Sequence, residues 1–148
     1  MRNFLNLLSL LIVLGFTACR PDGIDDDHPE PSGAYTNGVW ILNEGLFTNG
    51  SASVDFYHTD SSVREVDVFS RVNKRPLGDI LQSMTLYQDK YYAMVNNSQK
   101  IEVLDKDFQS IGAIEGLTSP RYMLPLSPDK AYVSDLYGRA ISIVDPGS

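Results

Sequence analysis

The 148-residue chain carries 19 acidic side chains against 12 Lys and Arg, a net charge of −7, with 43% apolar residues. An acidic chain without a Lys/Arg cluster excludes a nucleic-acid or anionic head-group surface, and the apolar share suits a folded domain. The single cysteine, Cys19, excludes an intramolecular disulfide and a cysteine-based zinc site.

After Arg2, residues 4–16 are apolar apart from Asn6, Ser9 and Gly15. This run falls short of the roughly 20 residues that a spanning helix needs. It therefore predicts the core of a secretory signal peptide over residues 1–18. The run Gly15-Phe16-Thr17-Ala18-Cys19 puts a small residue before cysteine, which resembles the bacterial lipoprotein processing site. That resemblance implies cleavage before Cys19 and an acylated cysteine held in a lipid bilayer, each buried CH₂ contributing about 0.8 kcal/mol. Residues 19–33 are rich in Pro, Gly and Asp, with Ile24 the only sizeable apolar side chain, and read as a flexible tether. Asp25, Asp26 and Asp27 lack the spacing of a calcium loop, so no metal site is expected there. His28 reads as exposed. An acidic cluster after a lipidated cysteine resembles the surface-export signal of lipoproteins in some gut Gram-negative bacteria, which implies display on the outside of the outer membrane.

From residue 34 onward the chain alternates short apolar runs with polar breaks. A first unit, residues 34–76, offers strands over 39–43, 53–57 and 63–69, with a Gly- and Asn-rich connection over 44–52. A second unit, residues 77–117, offers four: 82–87, 91–96, 100–105 and 110–115, each break carrying Asp, Asn, Ser or Lys. A third, residues 118–148, has an inner strand beginning near Arg121, then 130–135 and 140–145. The units repeat. Lys100-Ile101-Glu102-Val103-Leu104-Asp105 recurs as Ala140-Ile141-Ser142-Ile143-Val144-Asp145, forty positions later, and Tyr91-Tyr92-Ala93 recurs as Ala131-Tyr132-Val133 at the same offset. In the first unit, residues 39–43 take the part of 92–96. Four short strands per repeat at this period predict an all-β fold of propeller type. About two and a half blades are present, where closed rings hold roughly 4–8. The expectation is an incomplete propeller, the N-terminal fragment of a longer protein, whose first unit lacks its innermost strand and whose raw edges are open to pairing.

Several short motifs occur in order: Ile41-Leu42-Asn43-Glu44-Gly45, Leu77-Gly78-Asp79, Gln82-Ser83-Met84, the run from Asn96 to Val103, Pro120-Arg121-Tyr122 and the run from Lys130 to Asp135. Together they resemble surface-exposed lipoprotein propellers of the YVTN-repeat type. Some members of that group bind cobalamin and hand it to an outer-membrane transporter. The resemblance therefore implies a corrinoid ligand and a transporter partner.

The residues themselves suggest where a ligand would sit. Asn43 and Glu44, Asn96 and Asn97, and Ser134 and Asp135 each lie where an apolar strand ends, at the same point of the repeat. They should ring one face, with Arg121 reaching inward and Tyr137 and Trp40 offering flat apolar contact. Taken singly, each Asn, Asp or Ser also reads as a turn cap. Trp40, Met84 and Met94 read more readily as packing between neighbouring units, and His58 as a turn residue. No nucleophile elbow, metalloprotease helix, phosphate loop or Cys/His ligand set is present. The expectation is a non-enzymatic, cofactor-free binding protein. The alternatives are a lactonase-like propeller, for which the stretch supplies only Glu44 and Arg121, and a structural or adhesive surface protein.

Overall fold

The computed structural model describes residues 33–147; the leader, Cys19, His28 and the tether up to residue 32 lie outside the described residues. Among the described residues ten strands fall into three antiparallel sheets, as the all-β expectation required. Sheet 1 runs β1 (Gly38–Asn43), β2 (Ser53–His58), β3 (Val63–Glu65). Sheet 2 is a four-stranded meander of β4 (Leu81–Tyr87), β5 (Lys90–Val95), β6 (Lys100–Leu104) and β7 (Ser110–Ile114). Sheet 3 is built from β8 (Pro120–Ser127), β9 (Lys130–Asp135) and β10 (Ser142–Val144), with β9 in the middle.

The sheets stack in chain order, and the alternation of β5 shows why. Successive side chains of a strand point to opposite faces. Tyr91, Ala93 and Val95 join Val54, Phe56 and Phe108 in a core between sheets 1 and 2. Tyr92 and Met94 join Ile101, Val103, Met123, Ala131 and Val133 in a second core between sheets 2 and 3. Sheet 2 is thus apolar on both faces because both are covered. As expected, Trp40 and Met84 pack against the first core and Met94 lies in the second. Trp40 stacks on Phe108 with ring centroids 4.2 Å apart, as part of this interior packing.

Three expectations need correction. The outer strand predicted over 63–69 ends at Glu65, and Val68–Asn73 forms a short helix, α1. Asp67 adopts a left-handed conformation that breaks the strand and caps the helix by accepting from the Ser70 N–H. Val68 and Phe69 are thereby buried, and Asn73 ties the helix to the β6–β7 turn through Phe108 O and Ser110 N. Second, His58 is no turn residue. It closes β2 and pairs with Glu65 at 2.7 Å.

The third correction is one of register. Trp40 and Leu42 face sheet 2 just as Tyr92 and Met94 face sheet 3. Trp40 is therefore the counterpart of Tyr92, one position off the alignment by sequence, and Glu44 rather than Asn43 matches Asn96. A one-residue slip of this kind exchanges the two faces of a strand.

Candidate functional site

The segment from Gly78 to Leu81 is the hub to which the loops at one end of the stack are fastened. The 44–52 loop is held on both flanks, by Ala52 N donating to Gly78 O at 3.2 Å and Leu81 N to Glu44 O at 3.2 Å. On the other side the 3-10 turn Asn96–Ser98 is held by Asn96 N to Ile80 O at 2.8 Å and Asn97 N to Asp79 O at 3.1 Å. The buried Asp79 carboxylate bridges the two, accepting from Thr48 N at 2.7 Å and Asn97 Nδ2 at 2.5 Å. Such a junction requires unusual backbone. Gly78 has φ +140, and a Cβ there would meet Ser98 Oγ at 2.6 Å. Ile80, a β-branched residue, is held at φ +62, a conformation that costs about 1–3 kcal/mol.

Asn96 carries the chain of contacts on to sheet 3. Its amide donates to Pro120 O at 3.3 Å and accepts from Ser119 Oγ at 2.8 Å. Asp135 then organises the far loop, accepting from Thr118 N, Ser119 N, Tyr137 N and Gly138 N. Desolvation opposes its charge, but these four backbone N–H groups outweigh it and hold the carboxyl below the usual Asp range.

Between the loops lies an open cleft of about 370 Å³. Glu44, Leu46 and Phe47 enter from sheet 1, Ile80, Gln82, Asn96 and Asn97 from sheet 2, and Arg121, Leu136 and Tyr137 from sheet 3. Five of the seven anticipated residues meet here: Glu44, Asn96, Asn97, Arg121 and Tyr137. Two do not. Asn43 bonds across β1–β2 to Ser53 Oγ at 3.1 Å, and Asp135 is consumed by its turn. Asn96 is 6% exposed and serves as a staple between sheets as well as part of the wall.

Sequence reasoning missed Phe47, Leu46, Leu136, Gln82 and Ile80. The available signal was an exposed apolar pair inside a Gly- and Asn-rich loop, where a turn role explains nothing. Phe47 is 67% and Tyr137 74% exposed. The cleft thus combines apolar side chains from all three sheets with amides, one carboxylate and one guanidinium. It can accept a ligand with a flat apolar body and peripheral amide or anionic groups. A second cavity of about 290 Å³ opens between Trp40, Phe56, Met84 and Tyr91. Its walls are mainly apolar, and the buried Tyr91 hydroxyl has no hydrogen-bond partner among the described residues. Among the described residues no group of three or more His, Cys, Asp or Glu converges on a metal-sized site, and no helix is long and apolar enough to cross a membrane.

The fold and cleft define an all-β protein of stacked antiparallel sheets whose loops at one end line a shared cleft. Residues 37–147 match the family described as a domain of unknown function, DUF5074, and the chain belongs to that family. No curated protein matches it.

Proposed function

We propose that the three sheets are consecutive blades of a β-propeller of the YVTN-repeat type, tethered to the cell surface through an acylated Cys19. The cleft at their loop ends captures a bulky nutrient, with cobalamin or a related corrinoid as the ligand, for a partner outer-membrane transporter. The observation that carries this reading is the convergence of Phe47, Tyr137, Arg121, Gln82 and Asn97 from three sheets on one cleft. A corrin offers a flat apolar face, met by the aromatic rims, and a fringe of amide side chains, met by Gln82, Asn97 and Arg121. The ionisable groups lining the cleft are Glu44, Arg121 and Tyr137, a set better suited to hydrogen bonding than to acid–base catalysis.

The test is titration of cobalamin into this chain beside a longer relative carrying a complete ring, followed by the visible absorbance of the corrin. The reading predicts tight binding by the longer protein and weak or no binding here, since three blades line only an arc of the site. No change with either protein removes the corrinoid from the proposal. Anchoring is tested separately: Cys19→Ala should move the protein from the membrane fraction to the soluble one, and unchanged partition would end the lipoprotein reading.

A further inference from the structure

Two residues of the cleft owe their aim to the same irregularity, repeated in consecutive sheets. Where β4 pairs with β5, Leu81 lies opposite Val95 and Ser83 opposite Met94, which leaves Gln82 as an extra residue. Where β8 pairs with β9, Pro120 lies opposite Asp135 and Tyr122 opposite Ser134, which leaves Arg121 as the extra residue. Val95 and Met94 are the repeat counterparts of Asp135 and Ser134, so the two β-bulges occupy one place in the repeat. A bulge re-aims a side chain and is a built feature of a sheet, common beside functional sites. Both Gln82 and Arg121 line the cleft.

The packing shows the extra residue directly. Leu81 on one side of Gln82, and Met84 and Leu86 on the other, all join the core between sheets 1 and 2. The second bulge is fastened through its backbone: Arg121 O accepts from Ser83 Oγ at 2.6 Å, and Tyr122 N donates to Ser134 Oγ at 3.2 Å. The bond from Ser83 also sets the two bulges side by side.

The side chains presented in this way are uncommitted. Asn96 and Asn97 already donate within the protein, to Pro120 O and to the Asp79 carboxylate. Gln82 and Arg121 make no side-chain hydrogen bond or ion pair among the described residues. Arg64, Arg71 and Arg75 each hold a carboxylate. Arg121 is half-buried and holds none, although Glu44 lines the same cleft. A partly desolvated cation without a counter-charge is costly, and a guanidinium beside an amide is a donor set for an oxyanion.

We infer that Gln82 and Arg121 form an oxyanion subsite that takes a phosphate or carboxylate group carried by the ligand. The inference rests on the reading of the cleft as a ligand site, and not on the ligand's being a corrinoid.

The experiment is NMR of the arginine Nε–H groups in the full chain in detergent micelles. It is titrated separately with inorganic phosphate, acetate and, at matched ionic strength, chloride. Arg121→Lys and Arg139→Lys identify two signals, and the exposed Arg139 is the internal reference. The expected result is a saturable shift of Arg121 with phosphate or acetate, at a concentration about tenfold below that needed at Arg139. Whichever anion saturates first identifies the group as phosphate or carboxylate. Gln82→Ala should raise that concentration about fivefold. Movement of Arg121 in step with Arg139 marks an adventitious ion only and overturns the subsite. So does a signal that neither anion moves, or a response that Gln82→Ala leaves unchanged. Cobalamin binding with a silent Arg121 removes the subsite alone, whereas a responsive Arg121 without cobalamin binding removes the corrinoid alone.

Discussion

Glu102 is 1% exposed and lies on the same side of β6 as Leu104. It accepts from Arg75 at 2.5 Å and Lys100 at 2.6 Å, and from Ser110 Oγ. Desolvation opposes its ionisation, but these three donors outweigh it and keep the carboxyl below the usual Glu range. Asp55 is held low in the same way: burial works against its charge, and Asp67 N–H, Asn43 and Arg64 overcome it. The sign of the pH dependence follows. The unfolded chain takes up these protons near the ordinary values of 4.5 and 3.8, the folded chain only at lower pH. The unfolded state therefore binds more protons in that window, and stability falls as pH drops through it. Thermal melting followed by circular dichroism should show a midpoint steady near neutrality and declining below about pH 4.5, with the decline reduced in Glu102→Gln. Glu102→Ala should cost about 3 kcal/mol, because it strands Arg75 and Lys100 beside an emptied polar site. An equal acid slope in Glu102→Gln and the unaltered chain would show that other carboxylates control it.

At the scale of elements, the strongest dependence is of sheet 1 on a turn of sheet 2. Phe108 lies in the β6–β7 turn, fully buried, with a left-handed φ of 65. It sits under Trp40 and within reach of Tyr35 and Tyr91. Phe108→Ala should cost about 3–5 kcal/mol of stability in chemical denaturation, and Phe108→Leu markedly less. Equal losses from the two would mean that the ring stacking adds nothing to volume. The hub makes a second prediction. Gly78→Ala forces a side chain into Ser98 Oγ and Val95 Cγ1, at 2.6 and 2.8 Å, at a φ that only glycine adopts freely. It should lose about 1–3 kcal/mol, and retention of full stability would show that the hub relaxes. Some elements were legible beforehand and some were not. The four strands of sheet 2 fall within a residue or two of expectation, because polar breaks bracket each apolar run. Helix α1 was missed because Val66, Val68 and Phe69 look like a strand in isolation. Its cap, Asp67 three residues before Ser70, was in view, and the N–H bond from Asp67 to Asp55 that helps hold the cap spans twelve positions.

For the molecule as a whole, the cleft exists only where the sheets stay in register. Asn96, with Ser83 and Thr85, is one of the side chains that couple sheet 2 to sheet 3, and Asn96→Ala should cost about 1–3 kcal/mol by leaving the Ser119 and Pro120 groups less well satisfied. Limited proteolysis should then cut sheet 3 first, and uncoupling of the sheets would be refuted by an unchanged cleavage pattern.

The sequence by itself determined the strand order, the forty-residue repeat and the strand-end positions from which a site would be made. Alternation, turn chemistry and spacing are local properties, and local steric and hydrogen-bonding rules are enough to read them. Asp105 and Asp145 illustrate it: equivalent in the repeat, each accepts from the backbone N–H two residues on. Tertiary structure alone decided which face of β1 turns inward. Val39, Trp40, Ile41 and Leu42 are apolar at every position, so a period of two offers no choice between faces until sheet 2 packs against one of them. The same holds for Phe47, Gln82 and Tyr137, whose meeting depends on loops from three sheets being tied to one hub. Asp135 was claimed by backbone donors from two segments, and that competition between ligand and turn is settled by distances between parts of the chain far apart in sequence.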